Sequence, residues 1–180
     1  MALETHVESF TVDDWLATPE GGNRWELVDG ALVVNPAPAW QHQRAVAVLF
    51  SALRAEVPGA DEVFVSPVGV RLGIETVVEP DLAVVHRSSL GERLIEGVPI
   101  LVVEVLSPSN RPYDLVTKRD LYARNGIRWY WIADPAVPSV TVLRLDGDAY
   151  VEHVSATGDE ALTVDEPYPI TLELRRIVAG

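Results

Sequence analysis

Glu104 stands alone in the apolar run Ile100-Leu101-Val102-Val103-Glu104-Val105-Leu106. A carboxylate in a buried strand is costly unless it is paired or binds a metal. The alternative is that it turns outward at the strand's end. Asp81 has a similar setting, since Pro80-Asp81 interrupts the run Val77-Val78-Glu79-Pro80-Asp81-Leu82-Ala83-Val84-Val85. A neighbouring strand could bring Asp81 beside Glu104. Two close carboxylates repel, and one pKa rises unless a cation fills the gap. A hard divalent ion such as Mg²⁺ suits such oxygen donors. The plainer reading of Asp81 is a Pro-Asp turn. Lys118 is the only lysine, against 13 arginines. It shares one helix face with Asp114 and Tyr122, which lie four residues away on either side. An ammonium is a compact point charge, suited to a phosphate oxygen or an attacking water. The competing reading is a solvated Asp–Lys pair.

These residues need elements to hold them. Thr11-Val12-Asp13-Asp14 has the spacing of a capping box and predicts a short helix to about Ala17, stopped by Pro19 and Gly21-Gly22. Residues 24–34 predict a hairpin around Asp29-Gly30. Val46, Leu49, Phe50, Leu53 and Val57 recur at helical spacing, predicting an amphipathic helix from Ala39 to about Val57. Glu62 to Leu72 predicts two strands parted by Ser66-Pro67. Thr76 to His86 predicts a strand with a proline inside it, which implies an edge, a bulge or a break. Residues 100–106 predict a central strand buried on both faces. The turn Ser107-Pro108-Ser109-Asn110 follows, then a helix from Tyr113 to Asn125 ended by Gly126. Arg128 to Ala133 predicts a second buried strand, so residues 100–133 form a strand–helix–strand unit with a parallel, right-handed crossover. Val140 to Val154 predicts a hairpin, and the tail from Glu160 one further short strand. Trp129, Tyr130 and Trp131 are expected in the core, although such rings can also stack on bases.

Length and composition bound the reading. With 180 residues, 48% hydrophobic and 23% charged, the chain fits one globular domain over residues 1–180. It has no cysteine, which excludes a disulfide scaffold, a thiolate–zinc site and a cysteine nucleophile. The net charge of −13 argues against a general nucleic-acid coat protein. It leaves room for an enzyme that meets nucleic acid locally through a metal, and the stretch Arg111, Lys118, Arg119, Arg124 and Arg128 is locally basic. No phosphate-cradling glycine loop, HExxH or GxSxG motif is present. Met1 to Phe10 carries no basic run before an apolar segment, and no apolar run approaches the ~18 residues of a membrane span. A cytoplasmic location and no membrane association are therefore expected.

In order and spacing, Pro80-Asp81, Val103-Glu104-Val105-Leu106-Ser107-Pro108-Ser109, Asp114…Lys118…Tyr122…Gly126 and Tyr130-Trp131-Ile132-Ala133-Asp134-Pro135 resemble the Uma-two family of putative restriction endonucleases. This family is a bacterial branch of the PD-(D/E)XK nuclease superfamily. Trp25-Glu26-Leu27-Val28-Asp29-Gly30 and Pro36…His42 match its opening pattern, and the resemblance spans about residues 10–155. It implies an α/β (α+β mixed-sheet) fold: a restriction-endonuclease-like core with a central mixed sheet flanked by helices, and extra N- and C-terminal hairpins. It implies Asp81, Glu104 and the carbonyl of Val105 as ligands of Mg²⁺ or Mn²⁺. The superfamily's lysine, two residues after the motif glutamate, is replaced by Leu106, and Lys118 on the next helix takes its place. Glu26 would complete the catalytic set with Asp81, Glu104 and Lys118, and His42 would line the same cleft. The implied activity is hydrolysis of DNA phosphodiester bonds by a homodimer. The charge and Leu106 leave one alternative open, a non-catalytic metal- or nucleic-acid-binding module on a nuclease fold; a third reading is a partner protein with an exposed apolar patch around Trp129–Trp131.

Overall fold

The computed structural model describes residues 9–19, 24–108 and 111–178. It begins with α1 (Val12–Leu16), where the Thr11 hydroxyl accepts from the Asp14 N–H and the Asp14 carboxylate accepts the Thr11 N–H at 2.8 Å. Strands β1 (Arg24–Val28) and β2 (Ala31–Asn35) form the expected hairpin. Its two turn residues, Asp29 and Gly30, both take left-handed φ values (50° and 78°), so the turn's twist matches that of the strands. Helix α2 (Trp40–Glu56) buries Ala45, Val46, Leu49 and Leu53. Strands β3 (Asp61–Val65) and β4 (Val70–Gly73) follow.

The expected single strand from Thr76 to His86 is two strands, β5 (Thr76–Val78) and β6 (Leu82–His86), in different sheets. Proline lacks the N–H that a ladder needs, so the chain breaks at Glu79-Pro80-Asp81 and passes from one sheet to the other. Strand β7 (Leu101–Val105) is buried along its whole length. The next helix opens with a π-helical turn, Tyr113–Lys118, and narrows into α3 (Arg119–Arg124). Gly126 then reverses the chain at φ +73°. Strands β8 (Trp129–Asp134), β9 (Ser139–Asp146) and β10 (Ala149–Thr157) come next. The tail supplies two strands where one was expected, β11 (Ala161–Val164) and β12 (Ile170–Glu173), which pair as a hairpin. The proposed stop at Gly21-Gly22 and the Ser109-Asn110 half of the turn lie outside the described residues.

The main sheet runs β10-β9-β8-β7-β6-β3, and a smaller one runs β2-β1-β5-β4. Within the main sheet β7 and β8 are parallel and the other pairs antiparallel, so it is mixed. On one face α2 and the β11–β12 hairpin pack against Leu101, Val103, Trp129 and Trp131. On the other face α3 and the smaller sheet pack against Val102, Tyr130 and Ile132. The aromatic strand is therefore core: Trp129, Tyr130 and Trp131 are all buried and present no ring for a base to stack on.

Gly126 makes the helix-to-strand reversal depend on backbone conformation alone, because a Cβ there would meet nothing within 4 Å. Gly126→Ala is expected to cost about 1 kcal/mol through the left-handed φ. Gly59→Ala, also in open space but without a positive φ, should stay within about 0.5 kcal/mol of wild type. Urea unfolding of the two variants checks this.

Candidate active site

The register pairing Leu82 with Val103 brings Asp81 alongside Glu104 at the end of two inner strands of the main sheet. Asp81 is held from three directions. Its Oδ2 accepts the Val105 N–H at 2.8 Å and lies 3.0 Å from His42 Nε2, while Oδ1 lies 3.3 Å from an Arg24 nitrogen. With a carboxylate as acceptor, His42 donates through Nε2. Burial alone would raise the Asp81 pKa, but the hydrogen bond and charge of His42, with Lys118 and Arg24, bring it below the usual value.

Glu104 projects toward the π-helical turn. Its Oε1 accepts from Lys118 Nζ at 2.9 Å and from the Tyr122 hydroxyl at 2.5 Å. Lys118 is 3% exposed and also lies 3.1 Å from Glu26 Oε1 and 3.8 Å from Asp114 Oδ1. The Tyr113 ring covers the ammonium, its centre 5.5 Å from Nζ. The Tyr130 hydroxyl donates to the Asp114 carbonyl at 2.9 Å, tying the π-helical turn to β8. Such wide turns recur at functional sites because they shift side chains off the regular helical positions. The solvated Asp–Lys reading is thus replaced by a buried cluster. Leu106, two residues after Glu104, is buried in the core.

Glu26 stands behind Lys118. It is fully buried, its Oε1 accepts the Glu79 N–H at 2.8 Å, and its Oε2 accepts from the Asn35 side chain at 2.7 Å. So held, Glu26 fixes the lysine from behind, 3.1 Å from Nζ. Asp81, Glu104, Val105, Lys118 and His42 do line a common cavity of about 280 Å³, walled on one side by residues 36–39.

Three participants went unnoticed in the sequence. Arg24 bridges Asp81 and Glu79, donating to the Glu79 carbonyl at 2.7 Å. Asn35 orients Glu26. Alternation along β1 was the available signal for Arg24, which lies two residues before Glu26 and so on the same face; Glu79 sits in the break between β5 and β6, where no periodicity points to it.

Five carboxylates (Glu26, Glu79, Asp81, Glu104 and Asp114) face two permanent cations, Lys118 and Arg24. Burial, with Asp114, Asp81 and Glu26 nearby, pushes Glu104 up to about 8 against the pull of Lys118. Burial likewise pushes Asp114 up to about 6. For Lys118, burial lowers the pKa, but Glu104, Glu26, Asp114 and Asp81 together hold it well above its ordinary value, so it is charged. Among the described residues no three His, Cys, Asp or Glu side chains are already gathered as a ligand cluster. The donor chemistry nevertheless fits a hard divalent ion, with carboxylate oxygens, no thiolate, and negative charge in excess at a cavity wall.

The raised carboxyl groups set a pH dependence. The folded protein keeps a proton on Glu104 that the unfolded chain, at the ordinary value of 4.5, gives up. This contribution to stability is complete below pH 4.5 and is lost as pH rises through about 8. In EDTA, the urea midpoint should fall between those limits, and Glu104→Gln should flatten the decline. Lys118→Met, which strips the carboxylates of their shared cation, is expected to cost about 3–5 kcal/mol in the same measurement.

Comparison with known proteins places this geometry. Residues 12–176 match the family profile described as "Uma2: Putative restriction endonuclease". A solved structure, a putative nuclease belonging to DUF820 from Anabaena variabilis, is similar at a TM-score of 0.73 and 19% identity, over 93% of this chain and 97% of that one. At that identity the likeness establishes the shared fold. No curated protein matches. The profile spans nearly the whole sequence, both sheets and every residue of the cluster, and the chain belongs to the Uma2 family of putative restriction endonucleases.

Proposed function

We propose that the protein is a divalent-metal-dependent endonuclease that hydrolyses phosphodiester bonds of DNA. The observation that carries this reading is the buried Lys118, 2.9 Å from Glu104 on the wall of a cavity that Asp81 shares. Asp81, Glu104 and the Val105 carbonyl would hold Mg²⁺ or Mn²⁺. Bound there, the ion would acidify a water and offset charge on the reacting phosphate.

The chain's own residues supply the remainder. Lys118 is charged and fixed by Glu104 and Glu26, so its ammonium can hold a water or a phosphate oxygen without reorganising during the reaction. Tyr122 restrains Glu104 and His42 restrains Asp81, which keeps both carboxylates at the cavity wall. Arg24 lies at the same wall and can meet a phosphate oxygen if Asp81 turns to a metal. Lys118 reaching Glu104 from the helix answers one of the two arguments for a non-catalytic module, the apolar residue at position 106; the net charge of −13 is the other. A homodimer in the cytoplasm is the expected setting, since paired cuts need paired sites; sedimentation reads the dimer directly.

Calorimetric titration of Mn²⁺, with a DNA-nicking assay on the same samples, tests the proposal. Wild type should bind and nick. Glu104→Ala should lose both. Lys118→Ala should keep the metal and lose about 10²–10³-fold in rate, the scale for removing one electrostatic stabiliser. Metal binding through Glu104 without cleavage of any nucleic acid would sink the hydrolytic reading, and no metal binding by wild type would sink the site.

A further inference from the structure

The outer face of α2 begins where the cavity ends. Ala39 and His42 line the cavity, and Trp40 between them turns outward, 61% exposed. Along the same side run Arg44, Ala47, Ser51 and Arg54, all exposed. The helix carries no acidic residue before Glu56, and Ala39, at the N-cap, provides no side-chain cap for the first-turn N–H groups. Trp40 to Arg54 spans roughly 21 Å at 1.5 Å per residue.

In a chain of net charge −13 this face is unusual. Arg71, Arg87, Arg111, Arg124 and Arg175 are each paired with a carboxylate. Arg44 and Arg54 make no ion pair or hydrogen bond among the described residues. Arg93, Arg128, Arg144 and Arg176 also make no ion pair among the described residues; Arg128 and Arg144 sit where β8 begins, at the opposite end of the strands from Glu104, and Arg176 lines a groove with Ser51 of α2. A polyanion nearing the cavity therefore finds unpaired positive charge on α2.

We propose that this face of α2 binds an unpaired nucleic-acid strand and leads it into the cavity, with Trp40 stacking on a base and Arg44 and Arg54 holding phosphates. An exposed indole offers a flat surface to a base that is free of its partner, and stacking of this kind tolerates any sequence. The reacting groups favour the same substrate. Asp81 is 4% and Glu104 2% exposed, at the wall of a recess that one bent strand can follow more readily than a closed duplex. The inference deepens the nuclease reading and rests on it only for the direction in which the strand runs.

Binding in EDTA separates the two. A fluorescein-labelled oligothymidylate, and its duplex with oligoadenylate, are titrated with wild type and α2 variants while anisotropy and tryptophan emission are followed. The single strand should bind more tightly than the duplex and quench emission, and Trp40→Phe should retain most of the affinity. Trp40→Ala should weaken binding about 5- to 100-fold. Arg44→Ala and Arg54→Ala should each lower the slope of log affinity against log salt by about 0.7. Affinity unaffected by these substitutions, or equal for strand and duplex, overturns the proposal. So does loss of a dimer in place of oligonucleotide binding on Trp40→Ala, which would make this a self-association face. If the α2 variants lose the strand and yet no sample cuts DNA, the nuclease reading fails and the strand path survives.

Discussion

A single buried ammonium organises this protein. Lys118 has almost no contact with water, so its charge must be met by the chain, and Glu104, Glu26 and Asp114 meet it. One partner comes from the main sheet, one from the smaller sheet and one from the lysine's own helix. Breaking such a cluster by removing one member leaves uncompensated charge in a poor solvent. The cluster thereby fixes how the two sheets and the π-helical turn sit together. Tyr122 beside Glu104, Tyr130 on the Asp114 carbonyl and Tyr113 over the ammonium surround the ion pairs with rings that exclude water yet satisfy polar atoms.

The cluster is also unbalanced. Its acids outnumber its permanent cations, and a proton on Glu104, joined below about pH 6 by one on Asp114, makes up part of the difference. A divalent cation would perform the same neutralisation with more charge in less space. Arg24 and His42, which now steady Asp81, are the groups whose contacts such an ion would rearrange. The acidic interior and the acidic surface together leave few places for a polyanion to land, which gives the unpaired arginines of α2 their weight.

The sequence carried the essentials of the site because burial makes polar residues conspicuous. Glu104 and Asp81 stood out as carboxylates in apolar runs, and Lys118 as the only lysine. Leu106 marked what was missing from the usual pattern. Strand β7, α2 and the Asp29-Gly30 hairpin followed from periodicity and turn chemistry. What escaped depended on distant contacts. Arg24 reads as an ordinary strand residue until the smaller sheet packs against Asp81. The break at Pro80 was visible, but the handover between sheets was not, because proline reports only a lost hydrogen bond. The second strand of the C-terminal hairpin, β12, alternates cleanly as Ile170-Thr171-Leu172-Glu173 but is only four residues long, too short for its period to stand out before it pairs with β11 and packs on α2. The π-helical turn leaves no mark in a pattern of four-residue spacings.

The passage of the chain between sheets at Glu79-Pro80-Asp81 has a kinetic consequence. Glu26 and Lys118 are far apart in the sequence, and Asp81 lies on the connection that must be drawn taut before they can meet. Contacts of such separation form late, since loop-closure entropy is spent before they return any stabilisation. The main sheet can bring Asp81 beside Glu104 through the β6–β7 register and still leave Lys118 without Glu26, which the smaller sheet supplies. The cluster is therefore complete only once the two sheets have docked.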